Sequence, residues 1–222
     1  MSKTIKSKIY NVGTAYYPDY VPFQSYDLVG TTGKEVEVQT RIDQDFARMI
    51  DIGIAEIRIG EFSWSTIEPR EGEFQPELFL YALDKAHHSD ISVILCTPTA
   101  TPPKWLIDKY PDILPILSNQ KKIHFGSRRH YDPTNHHYIE HSKKITHYFV
   151  NTFGSHKAVK MWQIDNELGH HGSSAIYTTT GEKNFRLYLK NKYESIENLN
   201  KNWFTAFWSQ GYTGFNQIEI PR

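Results

Sequence analysis

Apolar positions along the chain alternate between two spacings. Short runs rich in β-branched and aromatic residues occur at Asn11–Tyr17, Ile54–Gly60, Ser92–Cys96 and Val159–Ile164, and each predicts a strand. Between them the spacing becomes helical. Arg41 to Ile52 sets Ile42, Phe46, Met49 and Ile50 on one face, with Gly53 where a C-terminal cap belongs. A second helix opens near Pro76 and carries Phe79, Ala82, Leu83 and Ala86; a third, Asn135 to Thr152, carries Tyr138, His141, Ile145, Tyr148 and Phe149. After the fourth strand, Phe185–Tyr193 and Ser195 to about Trp203 again read as helical. Strand and helix alternating in this way predict a parallel sheet with helical crossovers.

The polar interruptions follow the strands. Asp19 to Thr40 reads as a long loop, a kind of segment that is usually functional inside a compact domain. Glu61-Phe62-Ser63-Trp64 closes the second strand. Thr97-Pro98-Thr99-Ala100-Thr101-Pro102-Pro103 closes the third, and its prolines bar it from a sheet ladder. The fourth strand runs through Trp162-Gln163-Ile164 into Asp165-Asn166-Glu167-Leu168-Gly169, the pattern of a buried strand ending at a working surface. In parallel α/β folds the carboxyl ends of the strands form the catalytic edge. No repeat, low-complexity tract or linker divides the chain, so residues 1–222 read as one domain portion.

Composition narrows the function classes. Lys plus Arg equals Asp plus Glu, at 25 each, which gives no reason to expect nucleic acid or an anionic membrane as partner. Aromatics reach 14%, either for a rich core or as platforms for flat ligands such as sugar rings. Cys96 is the single cysteine, which excludes an intrachain disulfide and a cysteine-built zinc site; its apolar run predicts a buried, inert thiol. The amino terminus has no apolar signal core and no long apolar run occurs, so the expectation is a soluble, cytoplasmic protein.

Among single residues, Glu167 reads either as a solvated carboxylate or as a general acid whose pKa is raised by the apolar approach through Trp162 and Ile164. Arg128-Arg129 is either a solvated basic pair or a guanidinium fork for ligand hydroxyls or a carboxylate. Trp208 is a core residue by default, although Ser209-Gln210 gives it a polar flank. The pairs His87-His88, His136-His137 and His170-His171 suggest metal at first sight. Adjacent histidines diverge on helix or strand, and no HExxH spacing exists, so no metal is expected. Glycine-rich nucleotide loops and GxSxG elbows are absent from the sequence.

Five runs, in order, resemble the catalytic domain of glycoside hydrolase family 42, the microbial β-galactosidases. They are Arg58-Ile59-Gly60-Glu61-Phe62-Ser63-Trp64 with Glu68-Pro69, Thr97 to Leu106, Phe125 to Tyr131, Trp162 to Glu167, and Phe207-Trp208-Ser209-Gln210. The resemblance implies an α/β (β/α)8 TIM-type barrel, of which about four β/α units are present. It also implies retaining hydrolysis of terminal β-D-galactosyl residues without a cofactor. Glu167 would be the acid/base and Asn166 the partner of the sugar 2-hydroxyl. Arg129 would contact the galactose and Trp208 would form an aromatic wall. Arg58 and Glu61 would support the site.

Two departures accompany it. Where zinc-bearing members place their first cysteine, this chain has Asp132, so no zinc is expected. Retaining chemistry also needs a second carboxylate about 5 Å from the first. In the family that nucleophile follows the seventh strand, and no residue here matches it. The expectation is therefore an amino-terminal half-barrel that is completed by a carboxyl-terminal half or self-associates through its open sheet edges. An inactive fragment, a sugar-binding half-barrel and another retaining β-glycosidase of the same clan are the alternatives.

Overall fold

The computed structural model describes residues 12–20, 32–126, 129–168 and 176–221, and only the backbone for 32–37. The chain divides into two compact units, Met1–Pro103 with Lys144–Asn166, and Lys104–Lys143 with Glu167–Arg222.

The first unit holds the sheet. Strands β1 (Val12–Ala15), β2 (Ile54–Ile59), β3 (Ser92–Cys96) and β4 (Val159–Gln163) pair in chain order, all parallel. Helix α1 (Thr32–Asp51) crosses from β1 to β2; the short α2 (Trp64–Ile67) and then α3 (Glu77–His88) cross from β2 to β3. Burial alternates along β2: Ile57 and Ile59 are fully buried while Glu56 and Arg58 stay partly open. Val38, Ile42, Phe46 and Met49 of α1 and Phe79, Ala82, Leu83 and Ala86 of α3 complete the core. Phe79 also meets Phe149 and Phe153, at 6.4 and 6.1 Å between ring centroids.

Two expectations change here. The long loop predicted over 19–40 is helical from Thr32 onward, and residues 21–31 lie outside the described part. Val38 explains the change: it stands four residues before Ile42 and extends the buried stripe by one turn. The flanking glycines and the alternation of Glu and Val hid that turn. The second correction is β4, which is not a buried strand. Met161 is 57% and Ile164 71% exposed, and β1, at the opposite edge, is exposed along its whole length. Each edge strand has a single neighbour among the described residues, so only one flank is covered.

The second unit contains α4 (Lys104–Lys109), the start of α5 (His136–Phe153), α6 (Thr179–Tyr193) and α7 (Ile196–Trp203). Asn135 caps α5, its Oδ1 accepting from the backbone N–H of His137 at 2.9 Å and Tyr138 at 3.3 Å. Thr178 caps α6, accepting from Gly181 N–H at 2.9 Å, and donates to the Asp132 carboxylate. Asp132 also accepts from the backbone N–H and hydroxyl of Thr134 at 2.8 and 2.7 Å. Asp132 is thus a fully buried acceptor joining a turn to a helix start. Leu189, Leu199 and Ile218 form the core beneath α6 and α7, flanked by Phe185, Tyr193 and Phe215.

Candidate active site

The carboxyl edge of the sheet gathers polar side chains from β1, β2 and β4. At the end of β2 the backbone turns at Gly60, whose φ is 102° and where a Cβ would meet the Cys96 carbonyl at 3.1 Å. Glycine is needed there on both counts. The turn delivers Glu61, which is completely buried. Its Oε1 accepts from Arg58 Nη2 at 2.8 Å and from the Tyr17 hydroxyl, two residues past β1, at 2.9 Å. Burial, and then the Glu61 carboxylate, raise the Tyr17 pKa. Burial is the largest single influence on Arg58 and opposes its charge, but the Glu61 carboxylate, the Tyr17 hydroxyl and Cys96 together outweigh it and the Arg58 pKa rises.

Arg58 extends the network to β4. The registers align Arg58 with Ile94 and Ile94 with Met161, so Gln163, two residues beyond Met161, emerges on the same face as Arg58. Arg58 Nη1 donates to Gln163 Oε1 at 3.4 Å. Gln163 Nε2 donates to the Asp165 carbonyl at 2.9 Å and to Asn166 Oδ1 at 3.3 Å. Thr97, just past β3, accepts from Asp165 N–H through its hydroxyl at 2.8 Å and donates its own N–H to the Gln163 carbonyl at 3.0 Å. The turn after β4 is thereby held from the neighbouring strand end.

Below this edge lies Cys96, buried as expected; burial and then Glu61 push its thiol up to about 12. Asp19 accepts from the hydroxyls of Ser63 at 3.0 Å and Thr66 at 3.3 Å. Its pKa is raised, chiefly by burial.

Of the residues singled out from sequence, Asn166 is half-buried and joins this network. Glu167 follows it directly, with a left-handed φ of 48°, and is exposed. Asp165 is left-handed as well, at 55°, so the chain bends sharply at the strand tip. Arg129 and Trp208 belong to the second unit. Arg129 is buried, with a φ of 53° and its guanidinium 5.1 Å from the Tyr131 ring centre. Trp208 is 79% exposed with a φ of 61°, which overturns its default reading as core; its ring meets Phe207 edge-on at 5.4 Å. Arg128 and the pair His170-His171 lie outside the described residues. No group of three or more His, Cys, Asp or Glu is placed to hold a metal among the described residues. None of their helices is long and apolar enough to cross a membrane.

Sequence reasoning passed over Tyr17, Thr97 and Gln163. Each lies at or just beyond a strand's carboxyl end, and that position was the available signal.

A parallel β/α sheet with its buried charges gathered at the strands' carboxyl ends is the architecture of the amino-terminal half of a TIM-type barrel. The family model for glycoside hydrolase family 42, β-galactosidase, matches residues 34–222. β-Galactosidase BgaA of a Thermus species is 37% identical over 210 residues, which is 95% of this chain and 30% of that protein. Among solved structures, the β-galactosidase of the psychrophilic Marinomonas ef1 superposes with a TM-score of 0.85 at 39% identity, over 96% of this chain and 30% of that one. The β-galactosidase of the Antarctic haloarchaeon Halorubrum lacusprofundi gives a TM-score of 0.84 at 33% identity, over 96% and 29%. The chain belongs to glycoside hydrolase family 42. It spans about 30% of the length of the curated relatives it matches.

Proposed function

We propose that this chain supplies the proton-handling half of a retaining β-galactosidase site. The observation that carries the reading is the turn beyond β4, where Asn166 and Glu167 come after Ile164 and Asp165 in a family 42 chain. Glu167 protonates the glycosidic oxygen as the aglycone departs and then deprotonates the water that releases the sugar. An exposed carboxylate at a strand's carboxyl end is accessible for both steps. Asn166 hydrogen-bonds the sugar 2-hydroxyl, a contact that strengthens as the ring gains oxocarbenium character. Arg129 contacts the galactose hydroxyls, and Trp208 offers an apolar face to the ring. The nucleophilic carboxylate comes from the part of the barrel beyond these four β/α units.

The test is hydrolysis of an aryl β-galactoside by the chain alone and by the chain mixed with the remaining barrel of a family 42 relative. The mixture hydrolyses it, and Glu167→Gln lowers the rate by about 10²–10⁴-fold. An unchanged rate in Glu167→Gln refutes the acid/base role. Turnover by the chain alone refutes the external nucleophile. Galactose binding without turnover in either setting favours a sugar-binding half-barrel. Preference for aryl glucosides or mannosides moves the assignment to another glycosidase of the clan.

A further inference from the structure

We propose that Gln163 is a positioning residue that sets which way the Asn166 carboxamide faces, and that Arg58 and Glu61 enforce its choice. The inference rests on the reading of Asn166 as a sugar contact only for its functional consequence.

The polarity of each link follows from what its neighbour can offer. Glu61 as a carboxylate only accepts, and Arg58 only donates; they meet at 2.8 Å. Arg58 Nη1 therefore requires an acceptor, and Gln163 turns Oε1 toward it at 3.4 Å. That leaves Gln163 Nε2 on the opposite side, facing the Asp165 carbonyl at 2.9 Å, which accepts only. Both ends of the Gln163 amide are constrained in the same sense, and the flipped amide would set donor against donor and acceptor against acceptor. Nε2 also lies 3.3 Å from Asn166. Since Nε2 donates, Asn166 turns its oxygen inward to accept, and its amide nitrogen lies on the other side of the group. Asn166 thus meets a bound ligand as a hydrogen-bond donor to an oxygen.

The backbone supports the same setting. Asn166 N–H donates to Asp165 Oδ1 at 2.7 Å, and Asp165 N–H is held by Thr97 Oγ1 at 2.8 Å. The backbone at Asn166 is held by these bonds, and Gln163 bears on the rotation of the amide it carries.

Gln163→Glu tests this because it keeps an acceptor for Arg58 and removes the donor. The introduced carboxylate would face Asn166 Oδ1 and drive the Asn166 amide to turn its nitrogen inward. The readout is the pair of Asn166 side-chain amide signals in ¹H–¹⁵N spectra of the 222-residue chain, assigned by their loss in Asn166→Asp. In Gln163→Glu they move by more than a line width, and galactose affinity falls roughly five- to tenfold, about one hydrogen bond's worth. Gln163→Met, neutral and of similar length, moves the same signals; a near-native unfolding midpoint in it shows that the shift is not loss of fold. Asn166 signals that superpose on the native ones in both variants overturn the inference. Signals that move while neither Gln163→Glu nor Asn166→Ala alters galactose affinity uphold the positioning role and refute the sugar contact instead.

Discussion

Replacing Glu61 by glutamine asks how much the buried charge at the end of β2 contributes to the fold. Glu61 is fully buried, and its partner Arg58 has a side chain 36% exposed. Removing one member of a fully buried pair costs about 3–5 kcal/mol. Water reaching Arg58 screens part of that, which places this pair nearer the lower end of the range. Glutamine also keeps the shape and an acceptor oxygen for the Tyr17 hydroxyl and the guanidinium. What is lost is charge assistance in two hydrogen bonds, about 1 kcal/mol each, so Glu61→Gln costs about 2 kcal/mol. For a cooperative transition in a chain of this size that lowers Tm by about 4–8 °C. The assay is urea unfolding followed by tryptophan fluorescence at pH 7. It is run as a double-mutant cycle with Arg58→Met to isolate the pair from the separate effects of each substitution. The coupling expected is about 1–2 kcal/mol. A coupling below about 0.5 kcal/mol, or a Glu61→Gln variant as stable as the native chain, refutes the view that this ion pair anchors the strand-end network.

Two further outcomes follow from the same edge. Cys96, buried and with its thiol pushed up to about 12, carries thiolate at about one part in 10⁴ at pH 8. An aromatic disulfide reagent should leave it untouched for hours in the native chain and titrate one thiol per chain in guanidinium; rapid labelling of the native chain contradicts the burial. Asp19 has a folded pKa above its unfolded value of 3.8, chiefly through burial. The folded state therefore takes up this proton first as pH falls, and the contribution of Asp19 to stability rises from neutral pH through its raised pKa and levels off below 3.8. Asp19→Asn, a neutral stand-in that still accepts from Ser63 and Thr66, should be more stable than the native chain at pH 7. The gap should close toward pH 4 in urea titrations, and a gap independent of pH refutes the assignment.

The order of the strands and of the longer helices was legible in the sequence because it rests on local spacing: period-two runs make strands, and stripes such as Phe79, Ala82, Leu83 and Ala86 make helices whatever they later pack against. The short α2 and α4 are too brief to show a period and were not legible there. The same holds for the strand-end position of Asn166 and Glu167 and for the burial of Cys96. Errors arose where the covering neighbour mattered. The first turns of α1 carry glycine and alternating valine and glutamate, and only the core that receives Val38 makes them helical. Ile164 has the composition of a buried strand residue, yet β4 has one neighbouring strand among the described residues and the side chain stays exposed. Trp208 is similar: an indole suggests a core, but nothing local states whether other side chains will cover it.

What the chain alone determined, then, was the succession of strands and longer helices and the chemical types brought to the carboxyl edge. What only the tertiary structure decided was their mutual orientation. Arg58 and Gln163 are 105 positions apart. They share one face because the registers of two strand pairs put them in phase, and no local pattern encodes a register. From that phase follow the path from Glu61 through Arg58 and Gln163 to Asn166, and the direction in which Asn166 presents its amide.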